Sequence, residues 1–215
     1  MKSIFLMMLL ASVQHQGQGH HDPQHSFEDT DRWVDEFETA ARDAQQKPDE
    51  VVRALNLSAG DVVADIGAGT GYFTRRFAKA VGDNGIAYAV DIEPNMLEYI
   101  AERAEKEGQL NIVPVLATTS SPMLAPGSVD LFFICNTIHH IGARDEYYRI
   151  LARDLRPSGR FAIVDFRKDA DLTEGPTKAM RIAKQALIDE VTAAGFRLVE
   201  DHDFLPVQYF LVFAN

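Results

Sequence analysis

From Asp61 onward, short apolar runs alternate with longer segments in which apolar residues recur every three or four positions. Short uninterrupted runs are typical of strands covered on both faces of a sheet, and the longer periodicity is typical of amphipathic helices. Five strands are predicted in this part of the chain, over residues 62–66, 86–90, 112–116, 129–135 and 161–165. Helices are predicted over residues 72–81, 94–107, 143–155 and 177–194. The alternation predicts five strand–helix units and a parallel sheet.

The end of the chain departs from that alternation. Two further strands, 196–200 and 208–213, are separated by a loop that contains Pro206. A connection this short cannot hold a crossover helix, so the two strands are expected to pair antiparallel. The predicted fold class is therefore α/β: a Rossmann-like, mostly parallel seven-stranded sheet with helices on both faces and an antiparallel C-terminal strand.

Ahead of the first strand, Trp33, Phe37 and three alanines recur at helical spacing, which predicts one amphipathic helix over residues 31–45. Pro48, followed by two acidic residues, then opens a second helix. We expect residues 27–215 to form one domain, in which residues 27–46 serve as an N-terminal helix or a lid.

Residues 1–26 have a different character. Lys2, the apolar run 4–11 and the polar stretch after it are typical of a secretory signal peptide, although Val13 stands where a small residue is expected for cleavage. The apolar run is too short to cross a bilayer as a helix, so no integral membrane span is expected. Export and an uncleaved tail in the cytoplasm both stay open.

Four histidines lie within residues 15–25, among glycine, glutamine and proline. Imidazoles at this density can bind a metal ion, but the segment has no apolar surface with which to fix a coordination geometry. We interpret the segment as a flexible spacer and predict no metal site, with metal binding as the alternative.

Composition narrows the function further. The 215-residue chain carries 21 Lys and Arg against 32 Asp and Glu, a formal net charge of -11. Phosphate backbones repel so acidic a chain, so no nucleic-acid partner is expected. Its one cysteine, Cys135, excludes an intramolecular disulfide framework and a multi-cysteine zinc site.

A glycine-rich loop, residues 65–71, lies between the first predicted strand and the next helix. Glycines let the backbone turn tightly and approach a ligand, and the positive end of the following helix favours a carboxylate or a phosphate. Asp91 falls at the tip of the second strand, where an acid can accept hydrogen bonds from both hydroxyls of a ribose. These features fit a cofactor that contains adenine and ribose.

The spacing of the glycines distinguishes between such cofactors. Nicotinamide and flavin sites use G-x-G-x-x-G/A, and here the last position would be Tyr72, which is too large for close helix–strand packing. The observed pattern is Gly67-x-Gly69-x-Gly71, preceded by Asp65. It resembles motif I of the class I S-adenosylmethionine (SAM)-dependent methyltransferases.

Three further segments resemble the same family in the same order. Residues 89–97 resemble its second motif, residues 127–131 its approach to strand four, and residues 155–160 its turn before strand five. The antiparallel last strand is a hallmark of that fold. The resemblance covers residues 47–215 and implies a methyltransferase with SAM as its cofactor.

The resemblance assigns the cofactor site to Asp65, Gly67, Gly69, Gly71, Asp91, Ile92, Thr118 and Asn136. The glycine backbone would line the methionine part, and Asp65 would orient its amino group. Asp91 would hold the ribose, and Ile92 would pack on the adenine. Asn136 is expected near the amino group and the transferred methyl group. Thr118 stands where the family often has an acid that accepts from the adenine amino group, so this contact is a departure from the family pattern.

His139 and His140 follow strand four, at the edge of the expected crevice. A histidine pair is common there in small-molecule enzymes that resemble the quinone-biosynthesis methyltransferases, so both are candidate catalytic residues. Adjacent residues that begin a helix cannot both face the crevice. We expect one to face the substrate and the other to hydrogen-bond a neighbouring element, and a structural role for both stays open.

The expected reaction is in-line methyl transfer to an unidentified small-molecule acceptor. Residues 69–74 resemble the corresponding segment of protein isoaspartyl carboxyl methyltransferases, which is one alternative. The others are a non-catalytic exported protein that binds SAM or a metal, and a nicotinamide-dependent oxidoreductase. The methyl acceptor and the oligomeric state stay open.

Overall fold

A computed structural model describes residues 30–172 and 175–215. Its strands are β1 (Val62–Ile66), β2 (Ile86–Asp91), β3 (Ile112–Leu116), β4 (Val129–Cys135), β5 (Leu155–Phe166), β6 (Arg197–His202) and β7 (Gln208–Ala214). Its helices are α1 (Thr30–Phe37), α2 (Ala40–Gln46), α3 (Pro48–Ala54), α4 (Thr74–Val81), α5 (Pro94–Glu107), α6 (Arg144–Asp154) and α7 (Lys184–Ala193), with a short 3-10 helix at Ile138–His140.

The strands form one sheet in the order β3-β2-β1-β4-β5-β7-β6. The first five strands run parallel, and β7 runs antiparallel to both of its neighbours. This arrangement confirms the predicted fold class. The strand order reverses between β1 and β4, and a crevice for ligands opens at the carboxyl ends of the strands at such a point.

Apolar side chains cover both faces of the sheet. On one face, Phe77 of α4 packs edge-on against Phe133 of β4, with 4.9 Å between the ring centroids. On the other face, Tyr148 of α6 and Leu187 of α7 pack around Phe161 of β5. Each such fully buried side chain contributes about 1.5–3 kcal/mol relative to exposure, so the two faces hold the strand ends in place.

The single helix predicted over residues 31–45 is wrong, because the segment forms two helices. Thr39 has an extended backbone, and its hydroxyl accepts a hydrogen bond from the Arg42 amide at 3.1 Å. A threonine in this conformation caps a new helix and ends the periodic run before it.

The helix predicted over residues 177–194 is too long, since α7 begins only at Lys184. Arg181 donates to the carbonyls of Pro176 at 2.8 Å and Ala170 at 2.7 Å. Those bonds hold the preceding segment as a loop.

The prediction of five strand–helix units is also wrong for the third unit. Residues 117–128, which connect β3 to β4, contain no helix. Pro122 and Pro126 lie in this connection, and its ordered element is an isolated bridge between Thr118 and Ser121. Prolines lack the amide that a helix interior needs, so the crossover is made by a loop.

Within the described ranges, no helix has the length and apolarity needed to cross a membrane. In the same ranges, no three His, Cys, Asp or Glu side chains lie together as a metal site. The signal-peptide and histidine-rich predictions for residues 1–26 fall outside the described residues.

Candidate functional site

The glycine loop follows β1 and leads into α4 at the carboxyl edge of the sheet. Gly67, Gly69 and Gly71 have φ values of 72°, 55° and 75°, in the left-handed region that favours glycine. A Cβ on Gly67 would lie 2.2 Å from the Thr137 hydroxyl oxygen, and one on Gly71 would lie 3.1 Å from Ile100. These two glycines therefore let the loop pack against its neighbours.

Gly69 differs from the other two glycines. A Cβ there would meet the ring of Phe37, the last residue of α1, at 3.7 Å, which is an ordinary contact. The ring thus lies over the exposed face of the loop. Phe37 of α1 is therefore a neighbour of the glycine loop at this position.

Asp91 ends β2 beside this loop and is 9% exposed. One carboxylate oxygen accepts from the Gly69 amide at 2.8 Å, and the other accepts from the Glu93 amide at 3.0 Å. Burial raises the pKa of Asp91, and the backbone donors oppose that rise. Each oxygen keeps acceptor capacity for a further donor. Ile92, the next residue, is 45% exposed and offers an apolar surface at the same edge.

Asp65, at the carboxyl end of β1, is 3% exposed. Its carboxylate accepts a hydrogen bond from the Thr74 hydroxyl of α4 at 2.6 Å. Burial raises the pKa of Asp65 to about 7, with the Thr74 bond and the positive charge of Arg42 acting in the opposite direction. Asp65 therefore lies behind the loop, where it can change charge near neutral pH.

Thr70, in the middle of the loop, is 1% exposed, and its hydroxyl has no hydrogen-bond partner in the described part of the chain. A buried polar group without a partner is costly, and a bound ligand can supply one. The free acceptor capacity of Asp91, the exposed Ile92 and this hydroxyl fit a cofactor that carries adenine, ribose and an amino-acid group.

Thr118 lies after the edge strand β3 and is exposed. Its hydroxyl lies 3.3 Å from that of Ser120 and within reach of the Ser121 carbonyl. The structure therefore positions Thr118 in a local turn after β3, and its contact with adenine stays a prediction.

Asn136 follows β4 with a left-handed φ of 55°. Its side-chain carbonyl accepts from the amide of Gln208, the first residue of β7, at 2.5 Å. Gln208 is 1% exposed, and its own side-chain oxygen has no partner in the described structure. Asn136 thus turns toward β7, and its predicted role beside the methyl group stays a prediction.

His139 and Asp165 form a buried pair at the ends of β4 and β5. The Nδ1 atom of His139 lies 2.9 and 3.0 Å from the two carboxylate oxygens of Asp165, and the side chains are 3% and 1% exposed. Within residues 30–172 and 175–215, Nε2 of His139 has no hydrogen bond. His140 is exposed, and its ring centroid lies 4.2 Å from that of His139. His139 is thus buried and hydrogen-bonded to a neighbouring strand, whereas His140 is exposed, and which of them faces the substrate stays a prediction.

Three further residues at the site, Asp165, Gln208 and Arg42, are not among those predicted from the sequence. Asp165 had a readable signal, because it is an acid at the carboxyl end of a predicted strand. Gln208 and Arg42 had none, since only tertiary packing brings them to the crevice. The guanidinium group of Arg42 lies 4.0 Å from the centroid of the Tyr72 ring, directly after the glycine loop.

Comparisons with known proteins agree with this geometry. A family model described as "Methyltransferase domain" matches residues 57–201. A ubiquinone/menaquinone biosynthesis C-methyltransferase from Neisseria meningitidis is 30% identical over 169 residues, which cover 72% of this chain and 66% of the relative. The corresponding protein from Hydrogenovibrio crunogenus is 30% identical over 119 residues, 54% of this chain and 47% of the relative. The chain therefore spans about half to two thirds of the length of these relatives.

A solved structure shares the whole fold. The SAM-dependent methyltransferase from Aquifex aeolicus superposes with a TM-score of 0.79 at 23% identity, over 86% of this chain and 97% of that one.

Proposed function

This chain belongs to the class I SAM-dependent methyltransferases, and from that premise we propose that it methylates a small molecule bearing an acidic hydroxyl, with His139 as the proton acceptor. The matching relatives named for ubiquinone and menaquinone biosynthesis support a hydroquinone-type acceptor. The chain covers only 47% and 66% of those two relatives, so the hydroquinone-type acceptor is proposed for this chain and is not carried over as established.

The observation that carries the proposal is the buried pair of His139 and Asp165. A carboxylate on Nδ1 fixes the ring orientation and the tautomer, which leaves the lone pair on Nε2. Nε2 has no competing hydrogen bond in the described structure. The pair lies at the carboxyl ends of β4 and β5, beside the crevice, where a base can accept a proton from a bound substrate.

The residues proposed to hold the cofactor are Asp65, Gly67, Gly69, Gly71, Asp91, Ile92, Thr118 and Asn136. Bound SAM supplies a methyl group activated by its sulfonium centre. The protein has to hold the nucleophile close and aligned, because that alignment supplies much of the catalysis in such a displacement.

His139 supplies the remaining chemistry. An acceptor hydroxyl would give its proton to Nε2. Its oxygen lone pair, or the ring carbon that it activates, would then form the new bond to the methyl carbon as the bond from that carbon to sulfur breaks. Where the ring carbon reacts, its C–H proton would pass to the oxygen, which restores the aromatic ring. Asp165 accepts the hydrogen bond from the Nδ1–H group of His139 and stabilises the imidazolium that results. The positive charge lost from sulfur thus appears on the imidazole. The unpartnered oxygen of buried Gln208, next to Asn136, is a further acceptor that can orient the substrate.

The test follows labelled methyl transfer from SAM to probe hydroquinones of the benzene and naphthalene series. We compare the wild type with His139→Gln, Asp165→Asn and, as the matched control, His140→Gln. His139→Gln should lower turnover by about 10²-fold or more, because general bases contribute on this scale. Asp165→Asn should also lower it, while SAM affinity stays within a few-fold and His140→Gln stays near wild type.

Two outcomes would contradict the proposal. Normal turnover in His139→Gln would make the histidine structural. Transfer to an isoaspartyl peptide, with none to any hydroquinone, would favour the protein carboxyl methyltransferase alternative.

A further inference from the structure

Arg42, on α2, is a cation beside the glycine loop. Within the described chain it forms no ion pair, and its hydrogen-bond acceptors are the Phe37 carbonyl at 2.7 Å and the Gln46 side-chain oxygen at 2.7 Å. Both acceptors are neutral. The Cζ atom of its guanidinium group lies over the Tyr72 ring, 4.0 Å from the ring centroid. Burial lowers the pKa of Arg42, which reflects the partial loss of its hydration.

The other arginines around the glycine loop are paired with acids. Arg75 and Arg103 both reach Glu38, at 2.9 and 2.8 Å. Arg76 lies 3.4 Å from Asp49. A desolvated cation is costly unless it is paired. Among the arginines described around this loop, Arg42 is the one that forms no ion pair, and an anionic group of a ligand can supply one.

The position of Arg42 identifies which part of a ligand it can meet. Arg42 donates to the side chain of Gln46. Gln46 in turn donates to the Cys135 sulfur at 3.5 Å, which connects α2 to the end of β4. The negative charge of Asp65, at the end of β1, also acts on Arg42. Arg42 and Asp65 are therefore close enough for their opposite charges to interact, near the carboxyl ends of β1 and β4.

An α-amino acid group carries the complementary pair of charges. Its ammonium suits Asp65, and its carboxylate suits a guanidinium, which offers parallel donors in a fixed geometry. The Thr70 hydroxyl, buried in the same loop without a described partner, is an independent sign of a polar ligand there. We propose that Arg42 binds the carboxylate of the methionine part of SAM. The inference rests on the proposed cofactor site and is independent of the methyl acceptor.

The test is calorimetric and uses the full chain. The ligands are SAM, decarboxylated SAM, which lacks only the carboxylate, and 5′-methylthioadenosine, which lacks the whole amino acid group. The variants are Arg42→Gln, Arg42→Lys and, as the matched control, Arg53→Gln, an exposed arginine at the end of α3.

The wild type and Arg53→Gln should bind SAM roughly tenfold or more tightly than decarboxylated SAM, the scale of a hydrogen bond to a charged group. In Arg42→Gln this preference should shrink to within about threefold, while the affinity for 5′-methylthioadenosine stays unchanged. Arg42→Lys should keep part of the preference, because an ammonium retains the charge but not the fork of donors.

The proposal is overturned if Arg42→Gln weakens all three ligands equally, since Arg42 would then only shape the lid. It is also overturned if the wild type binds SAM and decarboxylated SAM equally, a result that needs no folded variant. Failure of the proposed acceptor chemistry would leave these binding constants unchanged, so the two ideas fail separately.

Discussion

Asp65 shows how burial and charge compete within one residue of the site. Its carboxyl group is 3% exposed, and burial raises its pKa to about 7. In an unfolded chain the group has an ordinary pKa near 3.9. Between those two values, the native state holds a proton that the unfolded state has lost.

The unfolding free energy should therefore contain a term from Asp65 that falls as the pH rises from about 4 to about 7. In Asp65→Asn, which keeps an acceptor for the Thr74 hydroxyl, this term is absent. We expect the variant to gain stability relative to the wild type as the pH rises through this window, measured by urea unfolding at several pH values. Asp83→Asn, at an exposed loop, is the control. A difference in unfolding free energy between Asp65→Asn and wild type that stays constant from pH 4 to pH 7 would contradict the raised pKa of Asp65.

Among the individual site residues, Asp91 could be predicted from the sequence and Arg42 could not. Motif spacing located Asp91 beside the glycine loop, because an acid at the tip of β2 must lie at the carboxyl edge of the sheet. It could not identify Arg42, because the lack of an ion pair to this residue in the described structure emerges only from the folded packing. The predicted contacts of these residues with SAM stay predictions.

The break between α1 and α2 is the main feature at the scale of elements. Apolar periodicity runs through residues 31–45 and predicts one helix, but Thr39 caps a second helix and the direction of the chain changes. Glu38 lies at this break, and one of its carboxylate oxygens accepts from Arg75 at 2.9 Å and Arg103 at 2.8 Å. These ion pairs join the N-terminal helices to α4 and α5.

Replacing Glu38 with glutamine should lower the unfolding free energy by about 1–3 kcal/mol, because two partly buried guanidinium groups lose their shared charge partner. The measurement is urea denaturation followed by circular dichroism. Glu36→Gln, an exposed position on α1, should change stability by no more than about 0.5 kcal/mol. Equal stabilities for the two variants would mean that the Glu38 ion pairs do not anchor the helices.

At the scale of the whole molecule, the alternation of strands and helices was sufficient to predict the architecture. Buried parallel strands are visible in the sequence as apolar runs, and the short terminal connection predicts an antiparallel pair. The observed seven-stranded sheet confirms both expectations. The loop between β3 and β4 and the late start of α7 were not predictable in the same way. Both depend on local backbone bonds and prolines that override the apolar pattern.

We propose that SAM binds at the carboxyl edge of β1 and β2. Asp91 is the residue proposed to hold the ribose, because its buried carboxylate lies beside the glycine loop and keeps acceptor capacity for the hydroxyls. Calorimetry of S-adenosylhomocysteine with the wild type, Asp91→Ala and the exposed control Asp83→Ala tests it most directly.

The wild type and Asp83→Ala should bind equally, and Asp91→Ala should bind at least about tenfold more weakly, since hydrogen bonds to a charged acceptor contribute about 1.5–3 kcal/mol each. When S-adenosylhomocysteine is present at 100 times its dissociation constant, the unfolding free energy of the wild type should rise by roughly 2.7 kcal/mol. NAD at the same concentration should not change it. Wild-type affinity in Asp91→Ala, with its fold intact by circular dichroism, would contradict the assignment of the ribose and with it the proposed site.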